Sequence, residues 1–332
     1  MDFKQLETFV VVAQTGSLSS ASDRLRVAQP ALSRRIRLLE DKVGLELFIR
    51  HGRGMSLSEA GSALLERVVG LMDQLEKAVE DVRSTNADPS GEVTIGIIPS
   101  IGSFLAAKLA IRAADLYSRI SLRFVEGLAG QLVDWLQRGE VDMALLPGMH
   151  ASLHLRTIDL LHENYCLVGP KSCDLRFDQP VPMSSLSSLD LILTGRNHGL
   201  RHLMEHAAAK ANVRLNVRFE MDSLLAVLNM VEAGVGYTIL PMITVQSEYQ
   251  AGRFNVAPLG SPAVPRQLIL ALPRGRVETR AGLAIKAFVI SEIAQLIHAG
   301  TWKATPDSGL DEALRLLKRQ GRATSATSAK SP

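Results

Sequence analysis

Gln29, Pro30, Ser33, Arg34 and Arg37 fall on one arc of a helical pattern that opens at Pro30 and stops at Gly44. An amide, a hydroxyl and guanidinium groups on one side of a rod are the donor set that hydrogen-bonds phosphates and base edges in a major groove. Leu32, Ile36, Leu39 and Val43 fall in a separate stripe, about 60° wide, that must face a core. Arg35 lies off the polar arc and is expected to reach phosphate or solvent. An ordinary amphipathic surface helix also has a charged side, and the surroundings decide between the two. From Arg24 to Leu39 there are five arginines and no acidic residue. Further on, the turn Arg50-His51-Gly52-Arg53-Gly54 sits between Leu45–Ile49 and Met55–Leu57. It sets Arg50 and Arg53 where they would contact phosphate or enter a minor groove.

A second group of candidates lies at strand-to-helix junctions, where open α/β folds bind ligands. Ser100, Gly102 and Ser103 follow the run Glu92–Pro99. Thr194, Arg196 and His198 follow Asp190–Thr194. Two helix N-termini and several hydroxyls facing one cleft favour a small anion such as a carboxylate or a sulfate-like group; the same residues would also serve as plain helix caps. Met221 and Asp222 end a further strand and are added candidates. His198, His202 and His206 recur every four residues, a spacing at which imidazoles can share a metal ion. No cysteine or carboxylate is placed to complete the set, so an exposed polar face is expected, with no metal and no cofactor. Cys166 and Cys173 are too few for a disulfide framework. Cys166 lies in an apolar strand and reads as a buried structural thiol rather than half of a redox switch. There is no Walker loop, GxGxxG, GxSxG or HExxH motif, and no catalytic residue or enzyme activity is expected.

These groups need elements to hold them. Phe3, Leu6, Phe9, Val10 and Ala13 recur at helical spacing, and Thr15-Gly16-Ser17 stops that helix. Ser19 is expected to cap a second helix through Arg24, with Leu18, Ala21 and Leu25 turned inward. Val27-Ala28-Gln29 leads tightly into the third helix, where Pro30 sacrifices no hydrogen bond. With the basic hairpin that follows, this is a helix-turn-helix with a wing. Ser58 then caps a long helix through about Ser84. Leu64, Val68, Leu71, Leu75, Ala78 and Val82 step along it as a heptad seam. So short a seam leaves open both pairing with a second copy and packing along its own domain. Ala87-Asp88-Pro89-Ser90-Gly91 reads as a hinge.

Beyond it, strand-like runs (Glu92–Pro99, Ser121–Glu126, Val141–Leu146, Asn164–Val168, Asp190–Thr194, Val217–Met221, Gly236–Leu240) alternate with helical ones. The pattern predicts a mostly parallel α/β sheet. Leu310, Ala313, Leu316 and Leu317 suggest a short helix after Pro306, and the final ATSATSAKSP reads as disordered.

At 46% hydrophobic and 21% charged residues over 332 positions, the chain suits two or three folded units. Its net charge of +3 says little, because Thr301–Pro332 alone, with six basic and three acidic residues, accounts for it; that tail reads as a solvated extension. No apolar run is long enough for a bilayer span. Asp2 and Glu7 sit where a secretory signal would need a basic stretch, so a cytoplasmic protein without a membrane partner is expected. A transport-type binding protein would match only the second half of the chain. A purely architectural DNA protein would leave the cleft unused.

The stretch LETFVVVAQTGSLSSASDRLRVAQPALSRRIRLLEDKVGLELFIRHGRGMSLSEAG is similar, nearly residue for residue, to the N-terminal domain of the LysR-type transcriptional regulators. Its most specific parts are AQPALSRRIRLLEDKVG and the wing ending in LSEAG; Ser22 and Ala28 stand where the family usually has alanine and serine. GEVTIGIIPS, GEVDMALLP and VEAGVGYTILP resemble phrases of the family's second domain, and RHGRG and HGLR resemble its nitrogen-assimilation-control branch. The likeness extends to about residue 300. It implies an α/β protein with an N-terminal winged helix-turn-helix (1–60), a linker and dimerisation helix with its hinge (61–90), and a two-lobed periplasmic-binding-protein-like effector domain (91–300). Lobe I would be about 91–162 and 267–300, lobe II about 163–266, and 301–332 a C-terminal extension. The resemblance further implies that Gln29, Pro30, Ser33, Arg34 and Arg37 face double-stranded DNA at a pseudo-palindromic operator. It implies that Ser100 and Thr194 touch a small-molecule effector and that Leu64, Val68, Leu71, Leu75 and Val82 pair two copies in a dimer or tetramer. RNA polymerase is a further candidate contact.

Overall fold

A computed structural model describes residues 1–52, 54–83, 88–148, 155–260 and 263–316. The expectations for Arg53, Ala87, Leu317, the ATSATSAKSP tail and the Val82 side chain fall outside the described residues. The chain forms two compact units, the first built mainly on Met1–Asn86 and the second on the residues from Ala87 onward.

In the first unit α1 (Phe3–Thr15), α2 (Leu18–Leu25) and α3 (Gln29–Val43) surround a core of Phe9, Val12, Ala21, Leu32, Ile36 and Leu39. The stripe expected on α3 is the one that is buried. Asp2 caps α1, accepting the Gln5 amide at 2.8 Å. Gly16 closes α1 with a left-handed φ of 66°, and the chain turns at once into α2. The α2 cap is therefore Ser17, whose hydroxyl accepts from the Ser19 and Ser20 amides, and not Ser19. Strands β1 (Phe48–His51) and β2 (Gly54–Leu57) form an antiparallel hairpin. The Met55 amide donates to the Gly16 carbonyl at 2.8 Å, tying the wing to the α1–α2 turn. A side chain at Gly54 would put its Cβ 2.4 Å from that same carbonyl oxygen. Ser58 caps α4 (Glu59–Arg83) through the Gly61 amide at 2.9 Å.

The second unit carries β3 (Gly91–Ile97), α5 (Pro99–Leu116), β4 (Ile120–Glu126), α6 (Ala129–Arg138) and β5 (Met143–Pro147). After β6 (Leu155–Pro170) come β7 (Val181–Pro182), β8 (Leu191–Leu193), α7 (Gly199–Lys210), β9 (Val217–Glu220), α8 (Leu224–Glu232), β10 (Thr238–Pro241) and α9 (Met242–Gln250). The chain returns through β11 (Phe254–Gly260) and β12 (Pro265–Pro273) to α10 (Arg280–His298) and β13 (Thr305–Pro306). Strands β4, β3 and β5 are parallel, but β5 meets β12, and β12 meets β6, in antiparallel register. β6 in turn meets β10 and β11 antiparallel. The mostly parallel sheet expected from the alternation is thus a mixed one.

The cause is the pair of strands that connect the lobes. β6 is 16 residues long, where the apolar pattern marked only Asn164–Val168. Arg156, Asp159, His162 and Glu163 interrupt the pattern in its first half. From Leu155 to Asn164 it pairs with β12, and from Tyr165 onward with β10 and β11. One strand therefore crosses from the core of Ile95, Leu105, Leu145, Ile285 and Ile293 to those of Leu167, Leu191, Met204 and Ile239 on one face and Val168, Val231 and Phe254 on the other. Among the described residues, α10 alone is long and apolar enough to cross a membrane. Its apolarity is that of a core helix: Ile285, Val289, Ile290 and Ile293 are fully buried.

Candidate functional site

Burying Leu32, Ile36 and Leu39 turns the opposite side of α3 outward, and Gln29, Pro30, Arg34 and Arg37 are all exposed there. Neither Arg34 nor Arg37 makes an ion pair among the described residues. Ser33 is half-buried, and Arg50 reaches its hydroxyl from β1, with Nη2 3.5 Å from Oγ. The wing and the third helix thus meet on one surface. Arg35, expected at phosphate or solvent, instead folds back on α1 and donates to Thr8 Oγ1 at 3.3 Å. Glu40 went unnoticed in the sequence. Its Oε1 accepts both the Leu47 amide (2.9 Å) and the Phe48 amide (3.2 Å), pinning the chain where it enters the wing. A carboxylate one turn before a C-terminal glycine was the available signal.

On α4 the heptad residues divide. Leu64 packs against the core of the first unit and Val68 is buried, whereas Leu71 and Leu75 are 63% and 50% exposed. The outward apolar surface is the later half of the seam, extended by Val79.

In the second unit a cavity of about 190 Å³ lies between the two lobes. Of the expected residues, Ser100, Thr194 and His198 line it, with Asp222. Gly102 and Ser103 do not: each residue along α5 turns by about 100°, so Gly102 packs on Glu126 and Ile97 and Ser103 faces solvent. Arg196 is exposed in the loop before α7, and Met221 turns into the apolar cluster behind the cavity. His202 and His206 are exposed on α7.

Ser100 stands in the first turn of α5, beside the N-terminus of the helix. His198 is the N-cap of α7; its Nδ1 accepts the Leu200 amide at 3.2 Å, which leaves the proton on Nε2. The Thr194 carbonyl accepts Arg201 Nη1 at 3.2 Å, while its hydroxyl oxygen is buried without a hydrogen-bond partner among the described residues. Asp222 accepts the Gly195 amide at 2.8 Å, fixing the loop that carries Thr194.

The cavity's charged anchor is a residue that local sequence pattern did not mark. Arg266, at the start of β12, is 4% exposed. Its Nη1 donates to Ser100 Oγ at 2.8 Å, its Nε donates to Glu163 Oε1 at 3.0 Å, and its Nη2 also bonds that oxygen. Tyr165 lies beside the guanidinium, 5.9 Å from centroid to Cζ. Burial pushes its phenol above the ordinary value, against the pull of Arg266. Glu163 on β6 and Arg266 on β12 stand at directly paired positions of the two strands, a pairing that the linear sequence does not display. Of the cysteines, Cys166 is buried in β6, and burial pushes its thiol up to about 12.

A winged helix-turn-helix, a long helix and a two-lobed α/β domain with a cavity between its lobes define a DNA-binding regulator with a ligand-sensing domain. Residues 3–62 match the description "Bacterial regulatory helix-turn-helix protein, lysR family", and residues 86–293 match "LysR substrate binding domain". The transcriptional regulator BbuR of Bordetella bronchiseptica is 31% identical over 308 residues, covering 92% of this chain and 94% of its own. The nitrogen assimilation regulatory protein nac of Klebsiella aerogenes is 26% identical, covering 89% and 96%. Full-length CbnR complexed with its target DNA has a TM-score of 0.65 at 18% identity, covering 88% of this chain and 100% of that one, and so shares the fold. The chain belongs to the LysR family: it is a DNA-binding transcriptional regulator with an effector-binding domain.

Proposed function

We propose that Gln29, Pro30, Ser33, Arg34, Arg37 and Arg50, with Arg53, are the groups through which this regulator reads its operator. A small anionic metabolite held between the lobes sets its activity. The observation that carries this reading is the exposed donor face of α3, whose Arg34 and Arg37 meet no acid among the described residues while Leu32, Ile36 and Leu39 of the same helix are fully buried. Exposed guanidinium groups that no acid engages are what base edges and phosphates recruit.

In the second domain, two helix N-termini, the Ser100 and Thr194 hydroxyls and His198 supply donors for an anion. The cavity is smaller than the roughly 300–1,000 Å³ of sites for drug-sized ligands, which suits a small metabolite. We infer a cytoplasmic protein that catalyses no reaction. Its domains would divide as 1–60, 61–90 and 91–300, with pairing of copies through the exposed part of the α4 seam at Leu71 and Leu75.

The test is a gel shift on operators mapped in the protein's own genome. Ser33→Ala with Arg37→Ala is expected to weaken binding on the order of 10²-fold, two contacts at about 1–3 kcal/mol each, in a folded protein. Unchanged affinity and sequence preference would overturn the reading of α3. Ser100→Leu with Thr194→Leu is expected to abolish the response to metabolites and leave operator binding intact; unchanged induction would overturn the cavity assignment.

A further inference from the structure

The C-terminal segment lies beyond both matched regions and has no task in the reading so far. It is built onto β6 where that strand passes between the lobes. β13 pairs with Leu161 and His162, and the Asp307 amide donates to the Leu160 carbonyl at 3.0 Å. Gly309 approaches so closely that an added Cβ would lie 2.6 Å from the Asp159 carbonyl oxygen. Leu310 is fully buried. Trp302, 1% exposed, packs edge-on against Phe104 at 5.6 Å, and its Nε1–H donates to Glu163 Oε2 at 3.2 Å. The other oxygen of Glu163 holds Arg266, and Arg266 donates to Ser100 in the cavity wall. An unbroken series of hydrogen bonds therefore runs from the tail segment to the cavity.

We propose that Trp302 is a positioning residue for the effector cavity: by occupying Glu163 Oε2 it confines Arg266 to Oε1 and so aims the guanidinium at Ser100. A carboxylate with both oxygens open takes an arginine bidentately. Without the indole donor, Glu163 would rotate to engage Arg266 with both oxygens and draw Nη1 away from Ser100. A buried charge pair is sensitive to such a loss, because each hydrogen bond inside the fold offsets part of the cost of burying the charges. The tail segment would thereby tune the affinity of the cavity without touching the ligand. This rests on the reading of the interlobe cavity as the effector site.

The experiment is site-resolved mass spectrometry of phenylglyoxal modification on the full-length protein. Trp302→Phe keeps a ring against Phe104 and removes the donor along with part of the indole's bulk. Arg201 serves as the internal standard, because it is equally buried at 4% and has its own carboxylate partners, Glu205 and Glu220. The modification rate of Arg266 relative to Arg201 is expected to rise about tenfold, as for a lost hydrogen bond to a charged group. An unchanged ratio overturns the proposal. Should Trp302→Phe fail to fold, the benzothienyl analogue at position 302 removes the same N–H from an isosteric ring, with the same two outcomes. Sodium sulfate added to the wild type separates the two readings. Protection of Arg266 supports the cavity as an anion site. A faster Arg266 in the variant without sulfate protection in the wild type upholds the positioning role and counts against the anion site.

Discussion

The two domains use arginine in opposite ways. Arg34 and Arg37 stand exposed on α3 with no acidic partner among the described residues, while Arg266 and Arg201 are each 4% exposed and fastened to carboxylates. For the first pair, dehydration is deferred until a partner arrives, so their charge counts toward binding and hardly toward folding. For the second pair, dehydration was met when the lobes folded, so the charges shape the cavity and any change to one is felt by the fold. A reading head has to be free of its own protein; a sensing cavity has to be wired into it.

The most severe way to test that contrast is to remove one arginine of each kind. Arg266→Met strands the Glu163 carboxylate inside the domain and is expected to cost about 3–5 kcal/mol of stability, the cost of breaking a buried pair. Arg37→Met should stay within about 0.5 kcal/mol, as for an exposed position away from any network. Denaturant unfolding monitored by circular dichroism measures both. Comparable losses in the two variants would erase the distinction. Replacing Glu163 and Arg266 together by methionine should recover much of the loss, because no unpaired charge is left behind.

A smaller effect sharpens the comparison from the DNA-reading side, where one carboxylate is held by its own chain just as Glu163 is in the sensor. Glu40→Ala leaves the Leu47 and Phe48 amides without their acceptor and is expected to cost about 1–3 kcal/mol. Because these amides fix the entry to the wing, operator affinity should fall as well. Stability lost with affinity unchanged would show that the wing contributes little to reading the operator.

How far the sequence spoke also differs between the domains. In the first, apolar spacing alone placed α1, α2, α3 and the buried stripe, and the exposed donor arc is simply its complement. Only the cap at Ser17, the inward fold of Arg35 and the role of Glu40 escaped, all of them side-chain contacts across a turn. In the second domain Ser100, Thr194 and His198 were legible as groups at strand-to-helix junctions. Arg266 and Glu163 were not, since a charge inside an apolar strand looks like an interruption until its partner 103 positions away is brought beside it. The same long-range pairing hid the first half of β6 and turned an expected parallel sheet into a mixed one. Local periodicity cannot report a strand whose partners are β10, β11 and β12.

The smallest predicted effect probes how tightly that strand is sealed. Cys166 sits on β6 two residues past the lobe crossing, paired with Leu240 and Pro258, and burial pushes its thiol up to about 12. Cys173, half-buried past the end of the strand, is also raised by burial. An acid whose folded pKa is raised adds to stability below its unfolded value, near ~8.5 for cysteine. That contribution fades as the pH climbs toward the folded value, so the fold should keep its hold on the neutral thiol up to mild alkali and weaken only beyond it. At about pH 8 the Cys166 thiolate amounts to on the order of one part in 10⁴, so iodoacetamide should label Cys173 well before Cys166, as read by peptide mass spectrometry. Equal labelling in the folded protein would mean that β6 opens at the lobe junction faster than the reagent reacts.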